Sequence, residues 1–314
     1  MNLLASLRYL VALDEHKHFS RAALACHITQ PALSNALRAL EEEFGTSIVK
    51  RGRSFAGFTP EGERILASAQ RMLHEHELLQ QELNSAAGRP QGTLTLGAVP
   101  TAMPIAARFV AMLQARHPGI TPVLRSMSSP EIEVGLESLS VDIGLGYTDR
   151  VSQRGIKLTA IAQYTERYFL LRRTAQPAAA GLQMGAPMSW VEASALPLSM
   201  LTPEMHNRTI IDSAFAMAGV EVKPAIQTNS ILTLGLSVVA GAVCSVLPGA
   251  LVGVMRGYRE LEALPLVHPE VLTPIGFMIA INDRPSRTLE AAIELANDVI
   301  WQQQAEAHSG ALTL

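Results

Sequence analysis

The chain has 314 residues, 48% of them hydrophobic and 17% charged. That exceeds the needs of one small domain and predicts a unit of about 60 residues plus a larger one with an ample core. The net charge of −3 excludes a nucleic-acid binder that works through an overall positive field. It leaves room for a local patch, because up to Thr59 seven basic residues (Arg8, Lys17, Arg21, Arg38, Lys50, Arg51, Arg53) stand against five acidic ones.

In chain order, Leu3, Leu7, Leu10 and Val11 recur at helical spacing and predict a first helix over Leu3–His16. Next comes a helical hairpin across Phe19–Phe44. Ala22, Ala23 and Ala25 are small enough for two helices to cross closely. Thr29 is a natural N-cap, and Pro31 is tolerated in the first turn that follows. Leu33, Leu37, Leu40 and Phe44 then form one apolar stripe, with Gly45 as the stop. The opposite face offers Gln30, Pro31, Ser34, Asn35, Arg38 and Glu41. Beyond it, a strand from Ile48, the basic turn Lys50-Arg51-Gly52-Arg53 and a return over Phe55–Thr59 predict a wing. A three-helix unit of this kind places its second hairpin helix in the major groove of double-stranded DNA. Gln30 and Arg38 are expected to read base edges, with Pro31, Ser34 and Asn35 on the same face. Thr29, Lys50, Arg51 and Arg53 are expected to lie on phosphates.

Ala22-Ala23, Thr29-Gln30-Pro31-Ala32-Leu33-Ser34, Leu40-Glu41-Glu42-Glu43-Phe44-Gly45, and Arg51 followed by Phe58-Thr59-Pro60-Glu61-Gly62 carry a resemblance to the LysR-type transcriptional regulators. The chain departs from that pattern at Val49, where an aromatic is common, and at Phe58 and Glu61, where leucine and alanine are common.

From Pro60 a long helix is predicted to about Ala87. Ile65, Ala69, Met72, His76, Leu79 and Leu83 alternate at spacings of four and three, which is a coiled-coil seam. Exposed on a monomer, that seam predicts a homodimer. His76 falls on it as a half-exposed residue. Gly88-Arg89-Pro90-Gln91-Gly92 breaks the helix and reads as a hinge.

After Thr93 the pattern becomes strand and helix in alternation: strands Thr93–Val99, Thr121–Met127 and Val141–Tyr147, and helices Ala102–Arg116 and Pro130–Ser138. A second such unit has strands near Tyr168–Arg172 and Leu198–Leu201 and a helix over His206–Met217. This is the pattern of a parallel sheet covered by helices. No charged residue occurs between Lys223 and Arg256, but glycines and Pro248 break that stretch. It is read as a helix Ser230–Ala240, a buried strand Val243–Leu247 and a turn at Pro248-Gly249, and not as a membrane span. A strand Ile275–Ile281, a helix Arg287–Gln303 and a frayed end from Ala305 complete the chain.

The resemblance extends, with looser motifs, across this region. It implies two subdomains joined by crossovers near residues 161 and 267, as in periplasmic solute-binding proteins. The expected fold is therefore α plus α/β. A winged helix-turn-helix spans 1–59, a linker and dimerisation helix 60–87, a hinge 88–92 and an effector-binding α/β domain 93–304. Its subdomain I covers about 93–161 and 268–304, and its subdomain II about 162–267. The resemblance also implies a dimer of dimers and contact with RNA polymerase at the promoter.

Ligands of open α/β sheets lie beyond the C-terminal ends of strands, where helix N-termini supply N–H donors. That rule selects Pro100-Thr101, Ser128-Ser129, Thr202-Pro203 and Asn229-Ser230. Taken singly, each is better read as a plain N-cap, as Ser, Thr and Asn often are. The resemblance implies an effector cleft at the same turns, Thr101 and Ser128 above all. His206 and Arg208 could add charge near the third turn. Together these residues predict a small carboxylate or other compact anion.

No catalytic set is visible. Gly235-Leu236-Ser237-Val238-Val239 lacks the closing glycine of a nucleophile elbow, and there is no phosphate-cradling loop or His-Glu metal spacing. No cofactor and no enzymatic activity are expected. Cys26 and Cys244 are too far apart in sequence for a dithiol motif, which leaves a redox sensor of the same family as a lesser alternative. A solute-binding protein or enzyme on the same α/β pair is another. The N-terminus shows no signal peptide, so a cytoplasmic protein is expected.

Overall fold

The computed structural model describes residues 2–50, 52, 54–84, 89–149, 158–281 and 285–309. The chain divides into two compact units, Met1–Gly88 with Ser138–Ser140, and Arg89–Glu137 with Val141–Leu314.

The first unit begins with helices α1 (Leu3–His16), α2 (Phe19–Ala25) and α3 (Gln30–Phe44). Their bounds follow from their caps. The Asn2 side chain accepts the Ala5 amide, His18 accepts that of Ser20, and Thr29 accepts that of Ala32 at 3.4 Å. Gly45 ends α3 at φ +62°, a left-handed conformation that glycine adopts without strain. Leu7, Leu10, Leu13, Ala22, Leu33 and Leu40 close the core with no measurable exposure. Phe44, predicted to complete the stripe, is instead 42% exposed. The core is closed on that side by Ile48 and Phe58 of the wing.

The wing is a short antiparallel pairing. Val49 bridges Phe58, the Lys50 amide donates to Gly57 O, and Thr59 N donates to Ile48 O. Arg51 and Arg53 lie outside the described residues. Helix α4 (Pro60–Asn84) follows, started by Thr59, whose hydroxyl accepts the Gly62 amide at 2.9 Å. Gly62 is required there: a Cβ on it would lie 2.1 Å from Ile48 O. At 25 residues, α4 is about 37 Å long. Leu66 and Ala69 are buried in the winged core, whereas Met72, Leu79 and Leu83 stand exposed. The predicted seam is therefore two things, an internal contact at its start and an uncovered apolar stripe beyond Met72.

In the second unit, the described residues form two sheets. The first has the order β2-β1-β3-β12-β4, from β1 (Gly92–Ala98), β2 (Ile120–Ser126), β3 (Ile143–Tyr147), β4 (Leu158–Glu166) and β12 (Thr273–Ala280). Helices α5 (Met103–Arg116), α6 (Ser129–Glu137), α11 (Arg287–Ala296) and α12 (Val299–Ala307) go with it. Its core centres on Phe109, whose ring lies 4.4 Å from Phe277 and 5.0 Å from Trp301. The second sheet has the order β6-β11-β5-β10-β8-β9, with β7 beside β11. It comprises β5 (Tyr168–Arg173), β6 (Gln183–Met184), β7 (Met188–Ser189), β8 (Leu198–Leu201), β9 (Ile226–Thr228), β10 (Cys244–Pro248) and β11 (Leu261–Val267). Helices α7 (Trp190–Ser194), α8 (His206–Met217), α9 (Ile231–Ala240) and α10 (Gly249–Val254) accompany it.

Several expectations change. The sheets are mixed, not parallel: β12 runs antiparallel to β3 and β4, and β5 antiparallel to β10 and β11. Strands β4, β6, β7, β9 and β11 are not among the expected elements. Because β4 pairs with β12 up to Glu166, the first crossover falls at Arg167, not near 161. Pro248-Gly249 is the start of α10, not a turn. The final helix is broken at Asn297, and Asp298 caps a new one by accepting the Trp301 amide at 3.0 Å. Ala305 and Ser309 are fully buried, so the chain is packed as far as Ser309 where fraying was expected, and residues 310–314 lie outside the described residues. The uncharged stretch folds as α9, β10 and α10, and among the described residues no helix is long and apolar enough to cross a membrane.

Candidate nucleic-acid interface and effector cleft

On α3, Gln30, Pro31, Asn35 and Arg38 are exposed and Ser34 is half-buried, opposite the buried Leu33, Leu37 and Leu40. Thr29 caps the same helix, and Lys50 is exposed on the wing. One contact was not foreseen: the Ser20 hydroxyl of α2 donates to Gln30 Oε1 at 2.9 Å, which steadies Gln30 at the tip of α3. Glu41, predicted on the outward face, turns the other way. Its Oε1 accepts the amides of Ile48 at 2.7 Å and Val49 at 3.2 Å. A carboxylate facing two N–H groups removes two orphan donors at the start of the wing.

The second unit contains a cleft between its two sheets. The chain leaves β1 through a short turn at Pro100–Ala102 into α5, and Thr101 Oγ1 meets the Tyr147 hydroxyl at 2.9 Å. Pro100, Thr101, Ser128 and Ser129 line a small alcove of about 20 Å³ with Tyr147, Met205, His206 and Asn207. That is room for about one water molecule. His206 packs edge-on against Tyr147 with ring centroids 4.7 Å apart. Burial pushes the Tyr147 hydroxyl well above its ordinary pKa, so it stays protonated. One polar atom in the alcove has no partner, Ser129 Oγ, on a side chain only 5% exposed, while the equally buried Asn207 side chain donates to the Tyr147 hydroxyl. Buried polar atoms without partners mark a place where a ligand can supply them.

The other predicted residues divide. Asn229 and Ser230 line a second, larger cavity together with Pro100. Ser128 is engaged as a cap, its amide and hydroxyl both donating to Glu131 Oε2 at 2.7 Å. Ser230 likewise accepts the Thr233 amide at 3.3 Å as the cap of α9. Thr202 donates to Glu204 at 2.6 Å, and neither it nor Pro203 lines either cavity. Arg208 adds no charge to the cleft, because its guanidinium is held by Asp212 at 2.8 Å and Leu201 O at 2.7 Å. Tyr147 and Asn207 were missed in the sequence. Tyr147 ends a strand 46 residues from Thr101, and no local pattern announces such a meeting.

A capped helix with an exposed polar face and a wing, and an α/β unit with a cleft holding a buried, unpartnered hydroxyl, are the parts of a ligand-responsive DNA-binding regulator. Residues 4–63 match the family model for the bacterial regulatory helix-turn-helix protein, lysR family, and residues 87–301 match that for the LysR substrate binding domain. The chain belongs to the LysR family of transcriptional regulators. It is 26% identical over 303 residues to the DNA-binding transcriptional dual regulator OxyR of Escherichia coli (strain K12), covering 94% of this chain and 93% of that one. Its fold is similar to that of a full-length OxyR variant from Pseudomonas aeruginosa, with TM-score 0.67, 22% identity and coverage of 93% and 96%. It is also similar to full-length CbnR complexed with its target DNA, with TM-score 0.64, 20% identity and coverage of 96% and 99%.

Proposed function

We propose that this regulator reads promoter DNA through α3 and changes its DNA binding when a small effector enters the cleft beside Thr101. The observation that carries the reading is the exposed row Gln30, Asn35 and Arg38 on a helix whose other face is fully buried. Gln30 and Arg38 contact base edges, with Pro31, Ser34 and Asn35 beside them. Thr29, Lys50, Arg51 and Arg53 contact phosphates. The uncovered stripe of α4 forms a homodimer, dimers pair into a tetramer, and residues 88–92 serve as the hinge between units. RNA polymerase is the partner at the promoter. The protein works in the cytoplasm and is not an enzyme. The test is a pull-down from genomic DNA followed by anisotropy titration of the enriched fragment. No enriched fragment would sink the reading and revive a solute-binding protein or enzyme.

A small carboxylate or other anion was the effector expected from the turns. Thr101, Ser129, Asn229 and Ser230 offer it hydroxyls and an amide, but among the described residues no lysine or arginine lines either cavity.

The likeness to OxyR favours a second reading, a redox sensor. Against it, Cys244 is buried in β10, where burial raises its thiol pKa despite the opposing charge of Arg172. Burial and the nearby Glu15 raise that of Cys26. Thiols held protonated react poorly with peroxide. DNA affinity unchanged by peroxide is the expected result.

A further inference from the structure

The larger cavity holds about 410 Å³, within the range of sites for drug-sized ligands. Met103 and Pro104 of α5 form one wall, and Ile231, Leu232, Leu251 and Val254 of α9 and α10 form the other. Leu232 and Val254 are 64% and 57% exposed, so the mouth of the cavity is apolar and in contact with water. Apolar surface gathered at a cavity mouth marks a binding site rather than packing. Its polar lining is neutral, from Ser126, Asn229 and Ser230. A charged ligand body seated there would lose its hydration with no counter-charge to replace it. Pro100 lines both this cavity and the alcove, where Ser129 Oγ stands without a partner beside the Asn207 amide that meets Tyr147.

We propose that the ligand of the cleft is an uncharged amphipathic molecule, its apolar alkyl or ring body filling the cavity and a small hydroxyl, carbonyl or amide head reaching Ser129 and Asn207. This rests on the reading that the cleft holds the effector, and it replaces the compact anion with an uncharged, largely apolar ligand. The walls supply the affinity, through burial of apolar surface. The alcove supplies the orientation, through one or two neutral hydrogen bonds.

The test uses the full-length protein and the uncharged apolar dye N-phenyl-1-naphthylamine, followed by fluorescence. Saturable binding is expected, displaced by methyl octanoate at about tenfold lower concentration than by octanoate, and not by succinate. Leu232→Trp and Val254→Arg, both at exposed positions, should each weaken dye binding about tenfold or more. Dye binding unchanged in both variants overturns the proposal, as does displacement by succinate ahead of methyl octanoate. A change in sedimentation mass accompanying the loss also overturns it, since a second copy of the chain would then cover the cavity. Specific binding that leaves affinity for the enriched DNA fragment unchanged upholds the ligand class and removes the effector reading.

Discussion

The hydroxyls of Thr101 and Tyr147 lie 2.9 Å apart, at the ends of two strands that pair in parallel. Both residues line the alcove, and Tyr147 is held protonated by burial with Thr101 and Asn207 as its hydrogen-bond partners. A ligand entering as proposed would either bridge this pair or exchange it. Thr101→Val keeps the volume but leaves the buried phenol short of a partner, at a cost of about 1–3 kcal/mol. The expected outcome is normal DNA affinity with the effector response abolished, read by anisotropy with and without ligand. A response identical to wild type removes Thr101 from the pocket.

Arg38 stands exposed at the centre of the α3 face. Arg38→Ala should weaken specific binding by about 1–3 kcal/mol while leaving the thermal midpoint unchanged. Ser20→Ala, which frees Gln30 of its one described hydrogen bond, should cost less, about 0.5–1.5 kcal/mol. Gel shifts on the enriched fragment would separate the two effects. Equal affinity for Arg38→Ala and wild type would move the base contacts elsewhere.

Gly62 has no space for a side chain, since a Cβ would meet Ile48 O at 2.1 Å and Ile48 C at 2.9 Å. These are backbone atoms and cannot swing aside. Gly62→Ala should destabilise the winged unit by about 1–3 kcal/mol, or displace the wing from α4. Hydrogen exchange would show it as lost protection across Ile48–Thr59 with no change in the α/β unit.

The helices of the winged unit were legible because each is bounded by its own cap: Thr29 and Gly45 set α3 at both ends. The apolar run Ile231–Leu247 was legible for a similar reason, with Ser230 and Gly241 bounding α9. Strand β4 was hidden by its composition. Its Thr159, Ala160 and Gln163 show no clean alternation, since its place beside β12 is decided by pairing with residues more than a hundred positions away. The break at Asn297 was hidden because apolar residues keep helical spacing across it, and it is held by Arg116, which donates to Asp298 at 2.7 Å. For the cleft, turn chemistry found Thr101 and Ser129. It could not tell a hydroxyl used as a cap, such as Ser128, from one left open, such as Ser129.

Glu166 is 1% exposed at the point where the chain leaves the first sheet. Burial pushes its carboxyl up to about 8, tempered by the Ala250 amide, the Tyr164 hydroxyl and the Gly249 amide. The folded pKa is raised above the 4.5 of an exposed glutamate. The group's favourable contribution is therefore complete below about pH 4.5 and is lost as pH rises through about 8. Glu166→Gln removes that dependence. Denaturant unfolding should show the variant more stable than wild type at pH 8, on the order of 1–3 kcal/mol, with the difference vanishing towards pH 5. A difference independent of pH would mean the carboxyl is not titrating there.

Leu79 and Leu83 of α4 are 54% and 72% exposed. If the stripe is covered by a second copy, replacing both with glutamate should weaken association by about 1.5–3 kcal/mol for each leucine. Sedimentation equilibrium of Leu79→Glu/Leu83→Glu would show monomer at concentrations where wild type is paired. The thermal midpoints of the two units should be unmoved at low concentration, because neither side chain belongs to a core.

The carboxylate of Glu41 grips the wing by two successive amides, Ile48 and Val49, from the last turn of the helix that carries Arg38. Helix and wing are thereby fastened together, so that the spacing between Arg38 on the helix and Lys50 on the wing is set by this carboxylate. If α3 and the wing meet DNA as proposed, a signal reaching this unit would move the two as one body, and would change where they sit on the duplex before it changed which bases they prefer.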